Sequence, residues 1–184
     1  YLSGLLLAAA GAIAFSGKAI IVKLSYRYGV DAVTIIMLRM LFALPFFIAL
    51  GIWAERQTQA RENPLTRRDL LGIVALGFVG YYLSSYLDFL GLQYITASLE
   101  RLILYLNPTL VVLLGWLIYK KPVQPIRMMA MAVSYAGVLV VFVHELTFTG
   151  ADVALGGALV FASALTYAVY LVFSGQLVQR IGAM

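Results

Sequence analysis

The 184 residues are 63% hydrophobic and only 11% charged, with a mean hydropathy of +0.96 and a formal net charge of +5. A soluble domain carries roughly 25% charged residues, so a chain this apolar could not cover a water-facing surface. Lipid as solvent admits helices or closed barrels, and long apolar runs without alternation exclude barrel strands. The absence of cysteine removes disulfides, thiolate metal sites and cysteine nucleophiles.

Crossing the hydrocarbon takes about 20 residues of helix, and six segments qualify: Leu2–Leu24, Val33–Trp53, Leu70–Leu92, Thr96–Tyr119, Ile126–Val143 and Val153–Val178. The first exceeds the apolar core of a signal peptide and lacks a basic lead-in, so it is read as a span. The connections are a turn at Tyr26–Asp31, a polar hinge from Glu55 to Asp69, a tight turn at Gln93–Ile95, a basic turn Lys120–Gln124 and a loop His144–Asp152 without Lys or Arg. None has room for a soluble domain.

Lys and Arg set the orientation. Arg56, Arg61, Arg67, Arg68, Lys120, Lys121, Arg127 and Arg180 fall on one side, and only Lys23 and Arg27 on the other. The Glu55–Asp69 hinge is therefore cytoplasmic, and the first span runs outward. The net positive charge reads as a topology signal; no nucleic-acid surface is expected, although the basic hinge suits anionic lipid.

Charged groups inside the spans then have comparable depths. Lys18 comes late in an outward span, Arg39 early in an inward one at roughly 10 Å depth by the helical rise, Asp88 late in the third span, and Glu100 and Arg101 at the start of the fourth. Three cations and two carboxylates from four helices thus converge in the outer half, and intramembrane charges of this kind mark solute pathways or pair structurally. A pair of Arg39 with Glu100 or Asp88 is expected. Tyr81, Tyr82, Ser84, Ser85 and Tyr86 on the third span, with Tyr105 and Asn107 on the fourth, supply hydroxyl and amide groups for a wet lining or for helix–helix contact. Spacing puts Tyr82, Ser85 and Phe89 on one face and Tyr81, Ser84 and Asp88 on another. Arg39, Tyr82, Asp88, Glu100, Arg101, Tyr105 and Asn107 form the candidate solute-binding set.

Asn107-Pro108 should interrupt the fourth span, and Pro45 the second, because proline withholds a helical N–H. Small residues Ala8, Ala12 and Ser16, and Gly72, Gly77 and Gly80, permit close packing. His144 has no ligand set around it, and no zinc spacing, phosphate-binding loop or nucleophile elbow is present, so neither cofactor, metal nor catalytic residue is expected. Intramembrane hydrolysis by Asp88 and Glu100 is disfavoured by the arginine beside Glu100.

Gly4–Gly29 aligns without gaps on Gly157–Gly182 with six identities in 26 positions, among them Gly4/Gly157, Arg27/Arg180 and Gly29/Gly182. The sixth span crosses in the opposite sense from the first, as an inverted repeat of five-helix units requires. The stretches GAIAFSGKAIIVKL (Gly11–Leu24), TIIMLRMLFALP (Thr34–Pro45) and LDFLGLQYITASLERLILYLNPTLVVLLGWLIYKKP (Leu87–Pro122) resemble the EamA family of the drug/metabolite transporter superfamily, whose members have ten helices in two inverted repeats. The resemblance implies an all-α membrane protein of six transmembrane helices: a first repeat over residues 1–143, and the opening helix of a second over 153–184, in a truncated chain. It further implies export or exchange of amino acids or other anionic or zwitterionic metabolites by alternating access across a bacterial inner membrane, with Arg39, Glu100, Arg101 and Pro108 near a central cavity. The expected partners are the bilayer and a small solute, and a chain ending at Met184 would need a homodimer. A non-transporting membrane scaffold with a dry, paired cluster is the alternative.

Overall fold

A computed structural model describes residues 5, 6, 9, 11, 13, 15, 17–57, 66–120, 123–142 and 152–181. Ala8, Ala12, Ser16, Arg61, Lys121, Pro122, His144, Gly4 and Gly182, on which several expectations fall, lie outside them. The described residues are helical throughout, joined by turns: α1 (Lys18–Arg27, with helical residues upstream), α2 (Ala32–Gln57), α3 (Arg67–Gly77), a π segment (Phe78–Leu83), α4 (Ser84–Gly91), α5 (Ala97–Leu104), α6 (Asn107–Tyr119), α7 (Pro125–Phe142) and α8 (Val153–Ile181). Among them, Ala32–Trp53, Arg67–Gly91, Ala97–Tyr119 and Val153–Val178 are long and apolar enough to cross a membrane. The protein is an all-α membrane protein. Large side chains such as Phe42, Phe46 and Phe47 on α2 face outward, which lipid tolerates because it is as apolar as they are.

Local chemistry sets the boundaries. The α1 end is a Schellman cap: the Gly29 N–H donates to the Tyr26 carbonyl (3.1 Å) and the Val30 N–H to the Ser25 carbonyl (3.3 Å). Gly29 sits at φ +74°, a conformation that costs a Cβ-bearing residue free energy. Asp31 then caps α2, its carboxylate accepting from the Val33 and Thr34 N–H groups (3.1 and 3.2 Å) and from the Thr34 hydroxyl. A Thr66–Asp69 capping box starts α3 at Arg67, so the third span begins three residues before the apolar run does. Thr96 caps α5 by accepting from the Leu99 N–H (3.1 Å). The fourth span is interrupted at Tyr105–Leu106, with Pro108 in the first turn of α6, where its missing N–H costs nothing. Pro45, by contrast, lies within the continuous helix α2.

The third span and α8 run antiparallel along a close seam. Gly72 meets Leu177, Gly80 lies under the Tyr170 ring, and Gly91 approaches Val160 and Gly156. A Cβ on Gly91 would stand 2.9 Å from the Gly156 carbonyl oxygen, and one on Gly156 would stand 3.0 Å from that of Gly91. Both positions therefore require glycine for backbone contact. Midway, the Ser163 hydroxyl donates to the Ser84 carbonyl (2.7 Å) and the two hydroxyls lie 3.1 Å apart, both side chains buried. Ser84 is thus helix–helix glue, not lining. The Tyr26 hydroxyl donates to the Phe89 carbonyl (2.6 Å), and the turns that follow the two helices, at Gly29–Asp31 and at Leu92 and Gln93, adjoin, so α1 and α4 run toward the same end. Since α8 opposes the third span, the first and sixth spans are antiparallel.

The core concentrates at the end of the bundle formed by the 28–31 and 92–96 turns. Ala19 and Val22 of α1, Ala32 and Ile36 of α2, Phe89 and Leu92 pack as one cluster, and Ile95, Leu99 and Val160 as a second.

Candidate functional site

Between these two clusters lies the charged group. Asp88 is 2% and Glu100 0% exposed, each about one turn from its helix end. Lys18 and Arg39 start deeper, on α1 and α2, and reach toward them. The Lys18 ammonium hydrogen-bonds the Asp88 carboxylate and stands 3.5 Å from Glu100 Oε1, so one cation serves two buried carboxylates. Arg101 Nε stands 3.3 Å from Glu100 Oε2, and Arg101 Nη2 donates to the Phe15 carbonyl (2.8 Å).

Arg39 departs from the expected pairing. Among the described residues it makes no ion pair; Nη2 donates to the Ser85 hydroxyl (2.7 Å), and the guanidinium lies over the Phe89 ring at 5.4 Å. Lys18 holds Asp88 instead: α1 meets α4 there through Ala19, Val22 and Phe89, while Arg39 on α2 is turned toward Ser85. Lys18 also stands 5.6 Å from the Phe89 centroid and 5.0 Å from that of Phe15, which Arg101 covers at 4.9 Å. Arg101, Phe15, Lys18, Phe89 and Arg39 thus alternate cation and ring across three spans and the start of the fourth. Ring faces lower the cost of holding three positive groups together where water is scarce. Phe15 was not singled out in the sequence; its position three residues before Lys18, on the same helical face, was the available signal.

The structure brings Lys18, Arg39, Asp88, Glu100 and Arg101 together, with Ser85 beside them. Tyr82 instead joins an aromatic ladder, its ring stacked with Phe78 at 5.4 Å and with Tyr86 at 6.5 Å, and is about two-fifths exposed. Tyr105, half exposed, and Asn107, partly buried, belong to the break in the fourth span, roughly 7–10 Å along the helix from Glu100. Tyr81 packs edge-on against Tyr170 of α8 at 5.8 Å, so the Tyr81–Ser84 face belongs to the seam while Asp88, one turn on, belongs to the charge cluster. Outside the spans, the Asp31 carboxyl is held below the usual aspartate range by the hydrogen bonds from Thr34 and the α2 backbone. Among the described residues no group of three or more His, Asp or Glu side chains could hold a metal ion.

The sequence profile of the EamA-like transporter family matches residues 2–143. The chain belongs to the EamA-like transporter family. A curated relative from Bacillus subtilis (strain 168), the uncharacterised transporter YcbK, is 28% identical over an alignment of 181 positions that covers 95% of this chain and 55% of that protein. The chain therefore spans about half the length of the curated relative it matches. No solved structure matches it significantly. Membership of this family makes the chain a multi-pass membrane protein of a transporter family.

Proposed function

We propose that this EamA-family chain forms one side of a carrier that moves small anionic or zwitterionic metabolites, such as amino acids, across a bacterial inner membrane by alternating access. The observation that carries this reading is the charge balance of the buried group. Two carboxylates are shared by Lys18 and Arg101, which leaves the Arg39 guanidinium on a neutral hydroxyl and a ring face. An unneutralised guanidinium beside a set of already paired charges is a ready partner for a solute carboxylate. In this reading Arg39 receives the carboxylate. Glu100 balances the cations and carries a proton when the cycle requires it, while Tyr82, Tyr105 and Asn107 line the path toward the cytoplasmic side.

The domain reading follows the same logic. Residues 1–143 form a first five-helix repeat, and 153–184 open a second of inverted sense. The rocking of one unit against the other would expose the group alternately to each side. The Ser84–Ser163 bridge and the glycine contacts would then hold the opening helix of the second unit against the third span of the first.

The test is counterflow of radiolabelled amino acids and dicarboxylates in proteoliposomes. Arg39→Ala and Glu100→Gln, both normally inserted, should each lower the rate by roughly tenfold or more, the worth of one charge-assisted hydrogen bond. Wild-type rates in both variants would dismiss the site assignment. The ion pairing among Lys18, Asp88, Glu100 and Arg101 also suits a non-transporting scaffold, in which case no solute would exchange at all and homodimerisation would be the property to measure.

A further inference from the structure

A cleft of about 590 Å³ opens at the end of the bundle where α1 turns into α2, lined by Lys23, Tyr26, Arg27, Asp31, Leu92 and Gln93 together with the Gly29–Val30 turn. Lys23 and Arg27 are one helical turn apart on α1. They are also the two Lys or Arg residues that charge counting puts on the cation-poor side of the membrane, and both line the same cleft.

Among the described residues no carboxylate lies within ion-pairing distance of Lys23 or Arg27, although Lys23 is partly buried. Asp31, the acid in the cleft wall, is committed to capping α2 through its bonds to Val33 and Thr34. Helix capping does not account for the cations either. The Ser25 and Tyr26 carbonyls at the end of α1 already accept from the Tyr28, Gly29 and Val30 N–H groups, so the terminus is satisfied by backbone. The walls are fixed: Tyr26 is tied to the Phe89 carbonyl, Gly29 holds its left-handed turn, and Leu92 is fully buried beneath. Gln93, exposed in the facing turn, sets its amide against the Tyr26 hydroxyl and has a second N–H that can donate.

We infer that this cleft is an oxyanion-binding site, in which Lys23 and Arg27 hold a carboxylate or phosphate and the Gln93 amide donates to it. The chemistry fits two sources, a free anionic solute at the mouth of the protein or the phosphate of an anionic lipid in the adjoining leaflet. The site is separate from the Arg39 group and does not depend on the transport reading, because binding here needs no turnover.

The experiment uses the intact protein in nanodiscs of phosphatidylcholine, titrated calorimetrically with succinate and with inorganic phosphate. A parallel arm uses nanodiscs containing phosphatidylglycerol, with native mass spectrometry to count the retained lipid. Saturable binding of a free probe identifies a solute site, and selective retention of phosphatidylglycerol identifies a headgroup site; both support the inference. The double variant Lys23→Gln/Arg27→Gln should weaken whichever is seen by roughly tenfold or more, since hydrogen bonds to charged groups are lost. Lys23→Arg should retain it. Gln93→Lys, which adds a cation on the exposed turn, should tighten it and gives a readout that does not rely on the double variant. Repeating the titrations in an Arg39→Ala background removes the carboxylate partner proposed for the central group, so that the loss in the double variant reads this cleft alone. Equal affinity in wild type, the double variant and Gln93→Lys, or no anion retained by wild type in either arm, would overturn the inference.

Discussion

Lys18 carries the arrangement of the charged group, because its ammonium is the contact shared by Asp88 and Glu100. Two carboxylates this buried are tolerable only while cations and hydrogen bonds offset their lost hydration. Lys18→Met should therefore destabilise the protein by about 3 kcal/mol, the typical cost of leaving a buried charge without its partner. Adding Asp88→Asn should recover part of that loss. Thermal unfolding in a neutral detergent measures both, and an additive loss in the double variant would show that the two side chains do not interact. Asp31 allows a second prediction at this scale. Its carboxyl is held below the usual aspartate range by bonds that exist only in the folded turn. Its contribution is thus fully present above the ordinary aspartate pKa and disappears as pH falls through the depressed one. Asp31→Asn should keep most of the cap and lose that acid dependence, whereas Asp31→Ala should lose both, as melting across an acid pH series would record.

Among the elements, the third span shows how far spacing alone reaches. Its length, its polar content and the convergence of Asp88 with Lys18 and Glu100 were legible in the sequence, since each follows from hydropathy and a fixed rise per residue. The pairing within the group was not. Lys18 and Arg39 both lie on helices beside Asp88, and only the packed bundle decides that Arg39 reaches Ser85 and the Phe89 ring instead. Spacing left Ser84 open between a wet lining and helix–helix contact, because nothing local says that α8 would lie against that face, with Gly91 and Gly156 letting the backbones touch. The π segment at Phe78–Leu83 was equally invisible, and it resets which residues share a face above and below it. The seam gives its own prediction. Gly91→Leu should cost about 1–3 kcal/mol or more by overpacking, since its Cβ would stand 2.6 Å from Val160 Cγ2. Ser84→Ala and Ser163→Ala should each cost only about 0.6–1 kcal/mol and should be non-additive, as expected for one interhelical hydrogen-bonded pair. Denaturant-induced unfolding of the two single variants and the double variant closes that cycle.

For the whole molecule, the alternation of helix direction places the 28–31 and 92–96 turns and the start of α8 at one end, with Lys120 and Gln124 at the other. Charge counting assigns the first end to the outside and the second to the cytoplasm. The chain contains no cysteine, so single substitutions report without background. Gln93→Cys should react with an impermeant thiol reagent applied to intact cells, whereas Gln124→Cys should react only after the membrane is opened; the reverse pattern would invert the topology. The same absence of background makes Ser85→Cys the most direct probe of the central claim, that charged side chains from separate helices surround a water-accessible pocket with an excess of positive charge. An anionic methanethiosulfonate should label Ser85→Cys faster than a cationic one of similar size, and Arg39→Ala should erase that preference. No labelling by either reagent, or faster labelling by the cation, would contradict the account.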